Sequence, residues 1–229
     1  MSEQVREMFA SIARRYDAAN EVLSLGVHRS WRRAAVQLSR AHPGQRVLDC
    51  ATGTGDLAFA FKRAVGPAGE VVATDFCEEM LASAKPKATR AGLDVRFEVA
   101  DALALPFADG SFDIASIAFG IRNVDDPVRC LREMARVVRT EGRVVVLEFG
   151  QPHGPFGALF RVYSRRVMPA VGGLLTGNRE AYEYLPRTAA AFPAGERFLA
   201  LMDEAGSFAE RTATPLLAGT AFVYVGVVA

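Results

Sequence analysis

The nine residues Leu48 to Asp56 read LDCATGTGD and set two carboxylates, Asp49 and Asp56, on either side of Gly53 and Gly55. A glycine-rich turn between a strand and a helix exposes backbone N–H groups and a helix N-terminus, which ordinarily attract an anion. Carboxylates in the same place oppose a phosphate and favour a cation. Gly53, Gly55 and Ala58 satisfy the dinucleotide spacing G-x-G-x-x-G/A, and Asp75 follows Gly55 by twenty residues. On spacing alone, an NAD-dependent oxidoreductase therefore stays open. Asp49 argues against it, because a pyrophosphate would lie beside that carboxylate. S-adenosylmethionine has no phosphate and carries both an ammonium and a sulfonium, so it suits glycines flanked by acids.

A third acid, Asp101 in EVADALALPF, ends the third strand. Asp49, Asp75 and Asp101 fall at three successive strand ends and match, in order, the methionyl amine, the ribose hydroxyls and the adenine amino group. Phe76, Cys77 and Met80 follow Asp75 and are the expected apolar walls around adenine. Gly53, Thr54 and Gly55 in the loop and Ala102 beside Asp101 complete the cofactor contacts. The competing role for Asp49 and Asp56 is to cap the next helix.

These residues need a scaffold that brings strand ends together. RVLDCA, EVVATD, VRFEVA, FDIASIAFG and GRVVVLEFG are short, rich in β-branched or aromatic residues, and bounded by Gly, Pro or Asp. Helices are predicted over Asp56 to Val65 and over Cys77 to about Arg90, the latter kinked or shortened at Pro86. DPVRCLREMARVVRT has Asp126 as a cap, Pro127 in the first turn, and one apolar face of Val128, Leu131, Met134, Ala135 and Val138. Strands alternating with helices give a parallel, doubly wound α/β sheet. Ala209 to Leu217 and Thr220 to Val227 add an antiparallel edge hairpin. The fold expected is Rossmann-like: a mostly parallel seven-stranded sheet with a helical cover. It forms a single domain of a helical cover (1–42), a cofactor-binding core (43–150), a substrate-cover insertion (151–193) and a C-terminal helix with the hairpin (194–229). Both cover segments should lie at the C-terminal edge of the sheet, where open α/β folds bind ligands.

Composition sets the outer limits. The chain has 229 residues, half of them hydrophobic, and a formal net charge of +1, which gives no global nucleic-acid footprint. Cys50, Cys77 and Cys130 lack metal-ligand spacing and read as buried, reduced thiols. The N-terminus has early acids and no long apolar run, so it does not read as a signal peptide, and GTAFVYVGVVA is too short to span a bilayer. A cytoplasmic chain is expected. Its basic runs HRSWRR and RVYSRR are suited either to solvent or to anionic headgroups at the inner face of a membrane. The sequence is equally compatible with a homodimer and with a chain that works alone.

Over almost its whole length the sequence resembles the class I S-adenosylmethionine-dependent methyltransferases and, more narrowly, the ubiquinone/menaquinone biosynthesis C-methyltransferases. The resemblance is carried by MFASIARRYDAANEVLSLGVHRSWRR, LDCATGTGD, ALPFADGSFD, FGIRNVDD, LEFGQP and NREAYEYLPRTAAAFP, in that order. FGIRN together with YEYLP is the most specific pair. FGIRN also stands where a nucleic-acid base methyltransferase would carry a proline-proline-aromatic motif. The chain departs from the family at Thr52, at Ala118 (a cofactor-contact position where serine is common), in the turn Arg139 to Arg143, and at Tyr224, where histidine is expected. The turn, on the far side of the sheet, should matter only for folding.

The resemblance implies methyl transfer from S-adenosylmethionine to a ring carbon of a prenylated quinol, in menaquinone or ubiquinone biosynthesis. Another small-molecule acceptor on the same framework is the alternative. Such a carbon becomes nucleophilic as a neighbouring phenol ionises, so catalysis needs alignment and a cation for the developing phenolate. Arg122 is the candidate cation, with pairing to Asp125 or Asp126 as its alternative role. Asn123 is expected to hold the substrate oxygen or Arg122, and Tyr16 to hydrogen-bond the acceptor ring. His28 is expected to pack or cap near Trp31, and His42 to lie on the surface. His153 and Glu148 are further candidates at the sheet edge. An aromatic set including Phe156, Phe160, Tyr163, Tyr182, Tyr184 and Phe192 is expected to receive the lipid or simply to pack on the sheet.

Overall fold

The computed structural model describes residues 3–13 and 15–229; Arg14, inside the N-terminal signature, lies outside the described residues. The short β-branched runs form β1 (Arg46–Cys50), β2 (Glu70–Asp75), β3 (Arg96–Val99), β4 (Phe112–Ala118) and β5 (Val138–Phe149). They pair in parallel. The late apolar segments form β6 (Phe208–Leu216) and β7 (Ala221–Val228), which are antiparallel to each other, with β7 antiparallel to β5. The seven strands run in the order β3-β2-β1-β4-β5-β7-β6, so β3 and β6 are the edges. The order reverses beside β1, and the ends of β1 and β4 open a crevice there, as doubly wound sheets do.

Ten α-helices complete the described chain. The first three, α1 (Glu3–Ile12), α2 (Tyr16–Ser24) and α3 (Val27–Leu38), precede β1. Between strands lie α4 (Asp56–Val65), α5 (Glu78–Ala91) and α6 (Pro127–Val137). After β5 come α7 (Gly154–Val162), a π-helical turn (Tyr163–Val167), α8 (Met168–Thr176), α9 (Arg179–Ala191) and α10 (Glu196–Ala205). Both faces of the sheet are covered, which is why Val144 to Leu147 are all buried. Val144 and Val146 pack with Leu131, Met134 and Phe198 on one side, while Val145 and Leu147 pack with Trp31, Phe61 and Val223 on the other. A separate cluster joins the N-terminal helices to the insertion: Ile12, Ala19 and Leu23 pack with Ala181 and Tyr182. The two cover segments are thus one cap.

Two local expectations change. Helix α5 is not shortened at Pro86; it runs on to Ala91, with Leu81, Ala84 and Ala88 buried on the face that holds it. Helix α6 stops at Val137 rather than at Thr140, because Val138 already pairs with Phe112 in the sheet. The segment Arg139 to Arg143 therefore lies within β5 and is irregular there: Glu141 takes a left-handed φ of 64°, and the register with β4 shifts. All three cysteines are free and buried.

Candidate functional site

The loop after β1 turns sharply, with left-handed φ at Ala51 (47°), Gly53 (57°) and Gly55 (87°). The two glycines do different work. A Cβ on Gly53 would meet nothing within 4 Å, and the residue walls an open cleft. A Cβ on Gly55 would meet the Phe59 ring at 2.8 Å and Ala84 at 3.3 Å, so Gly55 lets the loop pack against α4 and α5 and does not line the cleft. Thr54 is also turned away from the cleft, its hydroxyl donating to Asp17 Oδ1 at 2.5 Å. Thr54 and Gly55 thus brace the loop through the Asp17 bond and the packing on Phe59.

The three strand-end acids separate as well. Asp75 and Asp101 wall the cleft, together with Phe76, Cys77, Met80, Ala102, Ala118, Asn123 and Tyr16. Asp75 accepts the N–H groups of Gly53 and Cys77, both at 2.8 Å, and burial raises its pKa. Asp101 accepts the Leu103 N–H at 3.0 Å. Asp49 does not reach the cleft. It is 1% exposed beneath the loop, where it accepts the hydroxyls of Ser116 (2.7 Å) and Thr52 (2.6 Å). Burial pushes its pKa up to about 6, against those two bonds. Asp49 holds the loop, and Thr52, a departure from the family pattern, is one of its partners. Asp56 also faces elsewhere. Burial pushes its pKa up, but Arg32 and Lys87 outweigh that and hold it below the ordinary value.

A second, apolar cavity of about 430 Å³ abuts the first. Leu23, Trp31, Phe149, Phe160 and Met168 contribute to its walls, and Tyr16 and Phe119 wall both cavities. Phe119 reaches this boundary on a left-handed backbone (φ 55°), a strained conformation for a bulky residue. The next residue, Gly120, has no room for a side chain, since a Cβ would come within 2.6 Å of that of Ala51.

Arg122 lines the apolar cavity with only 3% of its side chain exposed. Its Nη1 donates to Phe119 O at 2.6 Å and to Glu148 Oε1 at 2.7 Å, and its guanidinium lies 5.2 Å from the centre of the Phe149 ring. The expected alternative pairing with Asp125 or Asp126 is replaced by Glu148. Asp126 caps α6 instead, accepting the Arg129 N–H at 2.9 Å. Burial raises the pKa of Glu148, against the pull of Arg122. Arg122 Nε and Glu148 Oε2 are buried with no hydrogen-bond partner among the described residues. Asn123 faces the other cavity and accepts the Tyr184 hydroxyl at 3.1 Å, so consecutive residues address the two cavities.

The remaining candidates sort by position. His28 is buried against Ser24 and Glu21, and burial lowers its pKa, assisted by Arg32. His42 contacts the Pro43 carbonyl at 3.2 Å. His153 is exposed at the start of α7 and lines neither cavity. Tyr224 is fully buried, and its hydroxyl accepts the Gly195 N–H at 2.7 Å just ahead of α10. Sequence reasoning placed Asp17 in the N-terminal cover without a role and did not single out Phe119 or Lys87. Phe119 had a usable signal, a bulky residue squeezed between a strand end and a glycine.

Comparison with known proteins accords with this geometry. The profile of the ubiE/COQ5 methyltransferase family matches residues 1–227. The chain is 53% identical over 227 residues to the ubiquinone/menaquinone biosynthesis C-methyltransferase UbiE of Bdellovibrio bacteriovorus, covering 99% of this chain and 96% of that protein. It is 51% identical to the demethylmenaquinone methyltransferase of Thermus thermophilus, covering 96% and 99%. Among solved structures, a SAM-dependent methyltransferase of Thermotoga maritima shares the fold with a TM-score of 0.69 at 21% identity, covering 96% of this chain and 98% of that one. The chain belongs to the ubiE/COQ5 methyltransferase family.

Proposed function

We propose that this protein transfers a methyl group from S-adenosylmethionine to a ring carbon of a prenylated quinol, as in the conversion of demethylmenaquinol to menaquinol. The observation that carries the proposal is the buried Arg122 guanidinium in an apolar cavity that meets an acid-walled cleft at Tyr16 and Phe119. The cleft's donor set fits the cofactor. Two carboxylates, Asp75 and Asp101, are available to ribose hydroxyls and an adenine amino group, and Gly53 leaves open space where a ligand can approach the backbone. Phe76 and Met80 offer the apolar surface. A nicotinamide dinucleotide suits the site less, because its pyrophosphate would lie against Asp75 and above Asp49.

When bound, the cofactor supplies a methyl group already activated by its sulfonium. The chain's task is to prepare the acceptor carbon. Arg122 is a permanent cation in the wall of the apolar cavity, where a phenolic oxygen would lie beside its guanidinium. Charge developing on that oxygen would be stabilised in an apolar site, where such interactions are strong. Glu148 holds the guanidinium in place through its Oε1. Asn123 and Tyr184 brace the boundary, and Tyr16 stands where both ligands would touch it. The direct test supplies labelled S-adenosylmethionine with a demethylated quinol and locates the label by mass spectrometry. Label on a ring carbon is the expected result, and label on oxygen, or no transfer, would refute the assignment.

The apolar cavity also has an apolar rim. Leu25 is 86% exposed, Leu159 67% and Leu217 52%, and all three line its walls. No helix among the described residues is long and apolar enough to cross a membrane. A lipid acceptor would therefore be taken from the surface of a bilayer, with the rim touching the lipid and Arg161, Arg165 and Arg166 on the adjoining helices meeting anionic headgroups. Co-sedimentation with phosphatidylglycerol vesicles tests this. The double variant Leu25→Asp/Leu159→Asp should lose about tenfold or more in vesicle affinity, since burying exposed leucines supplies most of such binding. Unchanged sedimentation would exclude the rim as the contact.

A further inference from the structure

The cleft between Asp75 and Asp101 is partly open, with about 660 Å³ of space between its walls, its mouth included. Phe9 of α1 and Tyr16 at the head of α2 are part of its wall. A ligand in the cleft therefore lies against this cover. The fastening of the cover is therefore part of the binding event.

That fastening is the residue next to Tyr16. Asp17 accepts the hydroxyl of Thr54 at 2.5 Å, and Thr54 lies between the two loop glycines. The other Asp17 oxygen pairs with Lys87 Nζ at 2.5 Å. Lys87, on α5, also pairs with Asp56 at the start of α4 (2.8 Å), and Asp56 pairs with Arg32 of α3 (3.3 Å). Asp17 thus ties the cover to the glycine loop and to α5 directly, and through Lys87 and Asp56 to α4 and back to α3 of the cover. Its neighbour Tyr16 walls both the cleft and the apolar cavity.

We propose that Asp17 is a positioning residue that transmits occupancy of the cofactor cleft to the acceptor cavity. A ligand that fixes the loop at Gly53 fixes Thr54, hence Asp17, hence the Tyr16 wall of the cavity beside it. The cofactor then binds first, and the acceptor binds more tightly once it is in place. The identities of the two ligands rest on the function proposed above; the coupling itself is measured without methyl transfer.

The Asp17 side chain is 42% exposed and that of Lys87 21%, so the ion pair on its own adds little to stability. Asp17→Asn should therefore leave the melting temperature of the ligand-free protein nearly unchanged. Its effect should appear in the coupling. S-adenosylhomocysteine serves as a non-reacting probe of the cleft. Trp31, the single tryptophan, lies in the wall of the apolar cavity, and its fluorescence reports binding of a short-chain prenylated naphthoquinone. In the wild type, S-adenosylhomocysteine should slow hydrogen exchange across α1 and α2 and tighten quinone binding by about five- to 150-fold, the usual range for coupled sites. In Asp17→Asn it should still bind, but exchange protection and tightening should both fall towards nothing. Thr54→Val, which removes only the hydroxyl donor, should reproduce that loss.

Full coupling retained in both variants would overturn the proposal, as would a wild type whose quinone affinity ignores the first ligand. If instead S-adenosylhomocysteine or the quinone fails to bind the wild type at all, the proposed function fails and takes the coupling with it.

Discussion

Arg122→Ala is expected to lower kcat by about two to three orders of magnitude, the usual effect of removing one electrostatic donor to a transition-state charge. The burial of Arg122 against Glu148 gives it a structural share as well. Removing the arginine leaves a carboxylate that is 1% exposed with no counter-charge, and breaking a buried pair in this way costs about 3–5 kcal/mol. The loss should depend on pH with a definite sign. Without Arg122, the folded-state pKa of Glu148, already raised by burial, rises further above its unfolded value of about 4.3. The native state then binds the extra proton, so the variant is most stable in acid and loses stability as pH climbs through that folded pKa. Arg122→Ala/Glu148→Gln separates the two roles, because it removes the orphan charge without restoring the cation. Stability should largely return while the rate stays low. Arg122→Lys keeps the charge and loses the planar fork, so it should fall between. Single-turnover methyl transfer at saturating cofactor, with thermal melts alongside, measures both quantities. A near-normal rate in folded Arg122→Ala would remove Arg122 from the mechanism.

Asp75→Ala should weaken S-adenosylmethionine by about 1.5–3 kcal/mol, or roughly 10- to 150-fold in Kd, the scale of charge-assisted hydrogen bonds to two ribose hydroxyls. Asp75 does more than face a ligand. It accepts the N–H groups of Gly53 and Cys77, so its removal also frees the loop. Asp75→Asn tests that overlap, since its remaining carbonyl oxygen can still accept one of the two N–H groups. If calorimetry gives Asp75→Asn nearly wild-type affinity while Asp75→Ala loses the full amount, the loop accounts for most of the effect. If Asp75→Ala itself binds normally, the ribose assignment is wrong.

What the sequence conveyed follows the range of each interaction. Strands, helices and the edge hairpin were legible because their patterns repeat within a few residues, as with Asp126 and Pro127 opening α6. Asp75 and Asp101 were legible as strand-end acids because parallel strands bring like ends together. Asp49 shares that position, but its burial depends on Ser116, contributed by the neighbouring strand β4. Thr54 was read as a ligand contact because the sequence does not reveal that Asp17 lies behind it. Arg122 was identified by chemistry, while its partner Glu148 sits at the end of the next strand and only the sheet joins them. The end of α6 was misplaced for the opposite reason: Val138 continues the apolar helical face, and strand pairing overrides that local preference.

The edge strand β6 has a consequence for the protein in bulk. Growth of a sheet into an aggregate needs an outer strand that offers regular donors and an uncharged face to an arriving chain. Strand β6 carries Glu210 and Arg211 on exposed positions, and Arg211 is tied back to Asp203 of α10 at 2.5 Å. Pro215 further along it has no N–H to give. The opposite edge, β3, is only four residues long, and Arg96 and Glu98 pair along it at 2.8 Å. Fibril-like stacking thus finds no template at either end of the sheet, and concentrated solutions of the folded protein should stay dispersed for as long as these edges remain intact.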